Sequence, residues 1–349
     1  MIKIEFWRTL GFGLLHTLFS IFVLFSSIWL CFALWIQAPW GWLVSRIFIG
    51  IWIAFALSIL GIYITQSFFG RRLDITLYLL GFLLALSWYF SLDARQDRDW
   101  QPEVAKIVHY EKQGDHVTLH NVRNFTWHPD GSYTEHWDTR SFDLNQITGV
   151  NIITSYWMGP HIAHTLVSFG FDDGQQLAFS MEIRKERHES FSAIGGFFRQ
   201  FEQVIIAADE RDIIRTRSNA RHEDVYLYRL SMSPEQLRTL FLGYLEAAET
   251  LRTKPDFYNS LTSNCTTIVF DLARQIAPEI PLDYRLILSG HFAEYAYDLG
   301  ALVPEYSYLQ LQQLGYINAR AQSSDTNDKH DFSRLIRKGE PGASDKNTP

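Results

Sequence analysis

Cysteine is almost absent: the 349 residues contain two, Cys31 and Cys265. So low a count excludes a disulfide-stapled scaffold. Cys31 lies inside a long apolar run, so pairing it with Cys265 would require one sulfur to leave the bilayer. Cys265 is therefore expected to be a lone thiol, which in an oxidising compartment calls for a reason. No Cys-x-x-Cys, Walker loop or dinucleotide fingerprint occurs, which argues against zinc-ribbon and phosphate-cradling chemistry, and no cofactor is expected. Basic residues are not in excess either. Lys and Arg number 31 against 38 Asp and Glu, a formal charge of −7 that speaks against nucleic acid as a partner. Internal repeats are missing, as is any Pro/Gly/Ser-rich linker that would divide the polar part of the chain.

Long hydrophobic runs, by contrast, dominate the N-terminus. Three stretches, Leu10 to Ile36, Leu43 to Phe69 and Leu73 to Phe90, are each long enough for a hydrocarbon core of ~30 Å, which takes ~20 apolar residues. A cleaved signal peptide does not explain three of them. Residues 1–95 therefore read as a transmembrane region of three helices. Lys3 and Arg8 precede the first span, Arg71 and Arg72 separate the second from the third, and Gln37 to Trp42 carries no basic residue. By the positive-inside rule the N-terminus is cytoplasmic, and everything beyond about Ser91 lies outside the inner membrane. The expectation is a multi-pass protein of the inner (cytoplasmic) membrane, with a periplasmic soluble domain and membrane lipid as a partner. Trp35, Trp40, Trp42, Trp88 and Tyr89 gather near span ends, where amphipathic rings favour the headgroup layer. His16, inside the first span, is either an intramembrane functional group or a packing partner of a neighbouring helix.

The polar part reads as α+β. From Val104 to Phe142 short alternating runs are broken by turn signals at Gly114-Asp115 and Asp130-Gly131. A further hairpin follows, His161 to Phe171 turning at Asp172-Asp173-Gly174 and returning over Gln176 to Ile183. Helical periodicity is read over Phe197 to Ala208 and Pro234 to Arg252, with a strand over Val225 to Leu230 between them. Residues 100–317 thus form one extracytoplasmic domain. Residues 318–349, rich in Ser, Asp, Asn, Lys and Gly, are expected to be a disordered tail.

Cys265 begins a segment in which Ile268, Val269, Leu272, Ala273 and Ile276 recur at helical spacing, with Pro278 closing it. In the first turn of a helix, unpaired amides and the positive dipole end favour thiolate over thiol. Asn264 or Ser263 would cap that turn. The competing reading is a small buried residue that simply packs well. A cysteine nucleophile needs a base, and histidine usually supplies it. His161, His164, His109, His116, His120, His128, His136 and His291 are the histidines on expected ordered elements, and His164 opens an apolar strand. His161 and His164 have roughly metal-ligand spacing, but no further ligand cluster lies nearby, so no metal site is expected.

Several stretches resemble a known family: Asn121 to Phe125, Trp137 to Leu144, Ser155-Tyr156-Trp157 followed by Ile162 to Phe171, Ser180 to Arg184, Asp209 to Asp212, and Tyr258 to Thr267. Together they look like the N-terminal periplasmic domain named after Lnb, a lipoprotein N-acyltransferase that makes lyso-form lipoproteins. That family in turn is similar to permuted papain-like folds of the NlpC type, in which the histidine strand precedes the Asn-Cys helix. The resemblance implies Cys265 as nucleophile and His164 as base, with Ser180 or Glu182 on the returning strand as the orienting group. Register decides the last point. A two-residue turn at Asp173-Gly174 pairs His164 with Ile183 and faces it away from Ser180 and Glu182. A three-residue loop with a bulge puts all three on one face.

Tyr258, Asn264 and His161 are candidate substrate-binding residues. The charged runs after Glu182 and from Asp209, with Arg215 and Arg217, form either an anion site or internal ion pairs. The functional expectation is a membrane-anchored thiol acyltransferase or hydrolase, with lipoproteins as one substrate class. The alternatives are a peptidoglycan or peptide hydrolase of the NlpC type and a non-catalytic envelope module for binding or assembly.

Overall fold

The computed structural model describes residues 2–68, 70–128, 130–323 and 329–342, with side chains from Gly13 onward apart from 329–331. Lys3 and Arg8 therefore lie outside the described side chains, and Phe69, the expected end of the second span, lies outside the described residues. The chain divides into two compact units, residues 1–94 with 192–200 and residues 95–191 with 201–349.

The first unit consists mainly of α1 (Ile2–Gln37), α2 (Trp42–Thr65) and α3 (Arg71–Phe90). All three are long and apolar enough to cross a membrane. Their outward faces expose large apolar side chains such as Leu24, Phe25, Leu57 and Leu84, while Phe19, Val23, Ala56, Ile59, Tyr63 and Tyr78 pack inside. Some polar groups between the helices pair with one another, as the Ser26 and Ser27 hydroxyls do with that of Tyr78 (2.7 and 3.0 Å). The His16 Nδ1 lies 2.6 Å from the Tyr63 hydroxyl, so this histidine pairs with a neighbouring helix.

The second unit is built on a sheet of eight strands. Their chain order is β1 (His109–Gln113), β2 (His116–Arg123), a separate two-stranded ribbon β3 (Thr126–Trp127) and β4 (Tyr133–Thr134), then β5 (Trp137–Asp143), β6 (Ile147–Tyr156), β7 (Ala163–Phe171), β8 (Gln176–Arg184), β9 (Glu202–Ala208) and β10 (Asp224–Arg229). In space the order is β1-β2-β9-β8-β7-β6-β10, with β5 also paired to β2. Both faces are covered. On one, α5 (Pro234–Thr253) and α6 (Cys265–Ile276) bury Val167, Phe169, Phe179, Phe241 and Tyr244. The other face gathers Ile153, Leu166, Ala178 and Ile206 with Ile213 and Ile214 of α4 (Glu210–Arg215). Among the described residues α6 is followed by α7 (Phe292–Asp298), α8 (Tyr308–Gly315) and α9 (Asn318–Gln322). The last is α10 (Lys329–Ile336).

Two sequence expectations fail. Residues 197–208 are not a helix: a 3₁₀ turn, Gly195–Phe197, is followed by β9. Val204, Ile205, Ile206, Ala207 and Ala208 are buried whichever way they point, and a strand covered on both faces is an unbroken apolar run that periodicity cannot separate from a buried helix. Nor is the region after 317 a featureless tail. Asn318–Gln322 and Lys329–Ile336 are helical, Phe332 and Ile336 are fully buried against the sheet, and Arg337 pairs with buried Glu210. The polar composition hid two apolar anchors at i and i+4, which fill the face left open by α4. Residues 324–328 and 343–349 lie outside the described residues.

Candidate active site

The hairpin of β7 and β8 settles the register. Phe171 donates its N–H to the Gln175 carbonyl (3.0 Å), Gly174 donates to the Phe171 carbonyl (3.0 Å), and Leu166 pairs with Ser180. The loop is thus the three residues Asp172-Asp173-Gly174, and Gly174 at φ +82° takes the left-handed position that such a loop requires. An odd loop turns His164, Ser180 and Glu182 to the same face. The His164 Nε2 lies 2.7 Å from the Ser180 Oγ and 3.2 Å from the Glu182 Oε1, while the Ser180 hydroxyl donates to Glu182 at 2.7 Å. Since the serine proton goes to Glu182, Nε2 must carry the ring proton on this side. The Nδ1 is left for the sulfur.

Cys265 reaches His164 because the ladder stops. Odd residues of β7 direct their backbone groups toward β8, but pairing ends at Leu166 and Ser180. Beyond that point the Ala163 carbonyl and Thr165 amide face a gap, and the thiol occupies it. The Cys265 Sγ lies 4.0 Å from the Ala163 oxygen, accepts from the Thr165 N–H, and hydrogen-bonds His164. Asn264 is the N-cap: its Oδ1 accepts from the Thr266 and Thr267 amides (2.9 and 3.0 Å), and its Nδ2 donates to the Ser260 carbonyl (3.0 Å). With those amides capped and the Ile268 N–H bonded to the Asn264 carbonyl, the Cys265 amide is the donor left at the helix start.

Charge organises the rest. Burial and the Arg217 cation oppose an imidazolium, but Glu182 and Cys265 outweigh them and raise His164 to about 9. Burial also opposes the thiolate, yet His164 and the Thr165 amide hold the Cys265 thiol below its ordinary value. Glu182 sits well below the usual carboxylate range, because His164 and Arg217 overcome its burial. Arg217 lies on a π-helical turn, Thr216–Ala220, and spans Glu182 (3.0 Å) and Glu223 (3.4 Å). Glu223 in turn accepts from Ser155, the register partner of His164 on β6. A chain of alternating charge therefore runs Cys265, His164, Glu182, Arg217, Glu223.

Of the residues singled out from sequence, Cys265, His164, Ser180 and Glu182 come together. Tyr258 is near enough for the charges of Cys265 and Glu182, with burial, to push its hydroxyl up, so it stays a donor. Asn264 commits its side chain to the cap and to the Ser260 carbonyl. The His161 ring pairs with His291 (2.9 Å) at the edge of a cleft of about 730 Å³ that His291, Tyr156, Trp157 and Glu223 help to line. Acidic residues of the charged runs form internal ion pairs: Asp212 with Arg123, Asp209 with Arg140, and Glu182 with Arg217. Arg217 and Glu223 as a second layer behind His164 were not legible in sequence, since only the π turn aims the guanidinium at β8.

These values set a pH window. Cys265 alkylation is expected to inflect below the ~8.5 of an ordinary thiol. In His164→Ala the inflection should move up, because burial and Glu182, both unfavourable to thiolate, then act unopposed. Any reaction that needs the imidazolium should fall as pH rises through about 9. Alkylation followed by intact mass checks the first two points, and an inflection unmoved by His164→Ala would contradict the pairing.

An α+β domain with a thiol and an imidazole poised at a helix start, in a chain with three helices fit to cross a membrane, defines a class: a membrane protein with a cysteine–histidine site in its soluble unit. Residues 133–290, the stretch that holds His164 and Cys265, match the family model described as the Lnb N-terminal periplasmic domain. No curated protein and no solved structure matches the chain.

Proposed function

We propose that this is a multi-pass inner-membrane protein whose periplasmic domain is a permuted papain-like thiol enzyme transferring or hydrolysing acyl groups, with lipoproteins as one substrate class. The observation that carries the reading is the thiol of Cys265 hydrogen-bonded to an imidazole whose far side is held by Ser180 and Glu182. The chain order, histidine strand before cysteine helix, with α6 packed on β7 and β8, supports the permuted papain-like assignment.

In the reaction so inferred, the Cys265 thiolate attacks an ester or amide carbonyl, and the Cys265 amide at the helix start donates to the oxyanion. The imidazolium of His164 gives its proton to the leaving alcohol or amine, and a thioester on Cys265 remains. Neutral His164 then takes a proton from the incoming amine or water as it attacks the thioester, which restores thiolate and imidazolium. Glu182 holds the ring and stabilises its charged form, and Tyr258 offers a further donor.

The test is to incubate the full chain in detergent with diacylated lipopeptide or with muropeptides and to look for a mass gain on the Cys265 peptide. A fatty-acyl adduct released by hydroxylamine supports lipoprotein acyl transfer. Muropeptide cleavage without one supports peptide hydrolysis, and neither outcome with an alkylatable thiol would favour a binding module.

A further inference from the structure

We propose that the connection from β8 to β9, Ser192–Gln200, is an interfacial segment that lies in the headgroup layer and presents Ile194 and Phe197 to lipid. This stretch lies between strands of the second unit in sequence but packs as part of the first. Gln37, the last residue of α1, donates its side-chain amide to the Phe198 and Arg199 carbonyls (2.6 and 2.7 Å). The Arg199 guanidinium donates to the Tyr89 and Leu92 carbonyls (3.2 Å each) and stands 5.1 Å from the Tyr89 and Phe90 rings at the end of α3. Phe198 packs with Trp29, Ala33 and Tyr89.

The same end of the bundle carries a belt of aromatic and basic side chains. Trp40 stacks on Trp88 at 6.3 Å, Arg46 lies over Trp42 at 4.8 Å, and Trp35, Trp40 and Trp42 face outward. Such belts mark the membrane–water boundary. Within it, Ile194 and Phe197 are 51 % and 41 % exposed, on a turn whose buried face is already filled by Phe198. The backbone needs little water. Phe197 donates to the Ile194 carbonyl (2.9 Å), Phe198 to the Gly195 carbonyl (3.0 Å), and Gly195 to the Ser192 hydroxyl (3.0 Å), while Gln37 takes the two carbonyls that follow. Non-helical backbone near lipid requires this internal pairing. A self-satisfied turn with outward apolar side chains, pinned to span ends inside an aromatic belt, fits the lipid boundary.

The experiment uses the full chain with Cys31→Ser and Cys265→Ser, reconstituted in nanodiscs of phosphatidylethanolamine and phosphatidylglycerol. Single nitroxide labels go on Ile194→Cys and Phe197→Cys, with Leu57→Cys on the exposed face of α2 and Asp173→Cys in the exposed hairpin turn as references. Collision with oxygen is compared with collision with a water-soluble nickel chelate. The expected result is that labels at 194 and 197 favour oxygen over nickel more than Asp173 does and less than Leu57 does. Labels at 194 and 197 that match Asp173 would overturn the proposal. If Leu57 also matched Asp173, the membrane reading of the helices would fall with it. Immobile labels shielded from both reagents would mean that protein covers the segment, which also overturns it. None of these readouts depends on catalysis.

Discussion

Cys265→Ser is expected to reduce acyl transfer or hydrolysis by about 10³-fold or more while leaving the fold intact. The serine oxygen fits the space between the Ala163 carbonyl, the Thr165 amide and His164, and thermal stability should move by no more than about 1 kcal/mol. Chemistry changes far more than packing does. A hydroxyl does not ionise beside this imidazole as a thiol does, so the attacking charge is lost, and only the oxyanion donor and substrate binding remain. Turnover of the preferred substrate, measured beside a melting curve, checks both halves. Retained activity in Cys265→Ser would remove the thiol from the mechanism, and unchanged cellular function would favour a binding or assembly role.

Asp212→Ala should be the most damaging single substitution away from the thiol, at about 3–5 kcal/mol of stability. Asp212 is fully buried and accepts four hydrogen bonds: from the Arg123 Nε (2.8 Å) and Nη2 (3.2 Å), the Phe125 amide (3.0 Å) and the Trp127 Nε1 (2.8 Å). Removing the carboxylate strands the buried Arg123 charge along with two further donors, which is why the cost exceeds the net worth of the pair. Asp212 also lies on α4, which runs directly into the π turn bearing Arg217, so loosening there reaches Glu182 and His164. Denaturant unfolding in detergent would show the loss, and a cost under about 1 kcal/mol would mean that water replaces the carboxylate.

Much of this architecture is visible in local pattern. Three apolar runs of sufficient length become helices whatever follows them, because the signal is length and hydropathy. The Cys265 helix announces itself by its i, i+3, i+4 apolar positions and by an asparagine at its cap. Elsewhere the local signal points the wrong way. β9, covered on both faces, reads as a helix; α10, whose described side chains include Phe332, Leu335 and Ile336 in a stretch otherwise polar, reads as a tail; and Ser192–Gln200 gives no sign that it packs with the first unit.

What the sequence by itself determined is the membrane region, the α+β class, the lone thiol at a helix start and the short set of residues able to serve it. Tertiary structure alone decided which of those meet. Hairpin parity brings Ser180 and Glu182 round to His164, and an early end to the β7–β8 ladder opens the gap that the sulfur fills. A π turn then swings Arg217 into place behind Glu182. The division follows from range: helix and span signals are carried by neighbours within a few residues, whereas the active constellation depends on one residue of loop length and on where a ladder stops, and both become fixed only when the whole sheet is assembled.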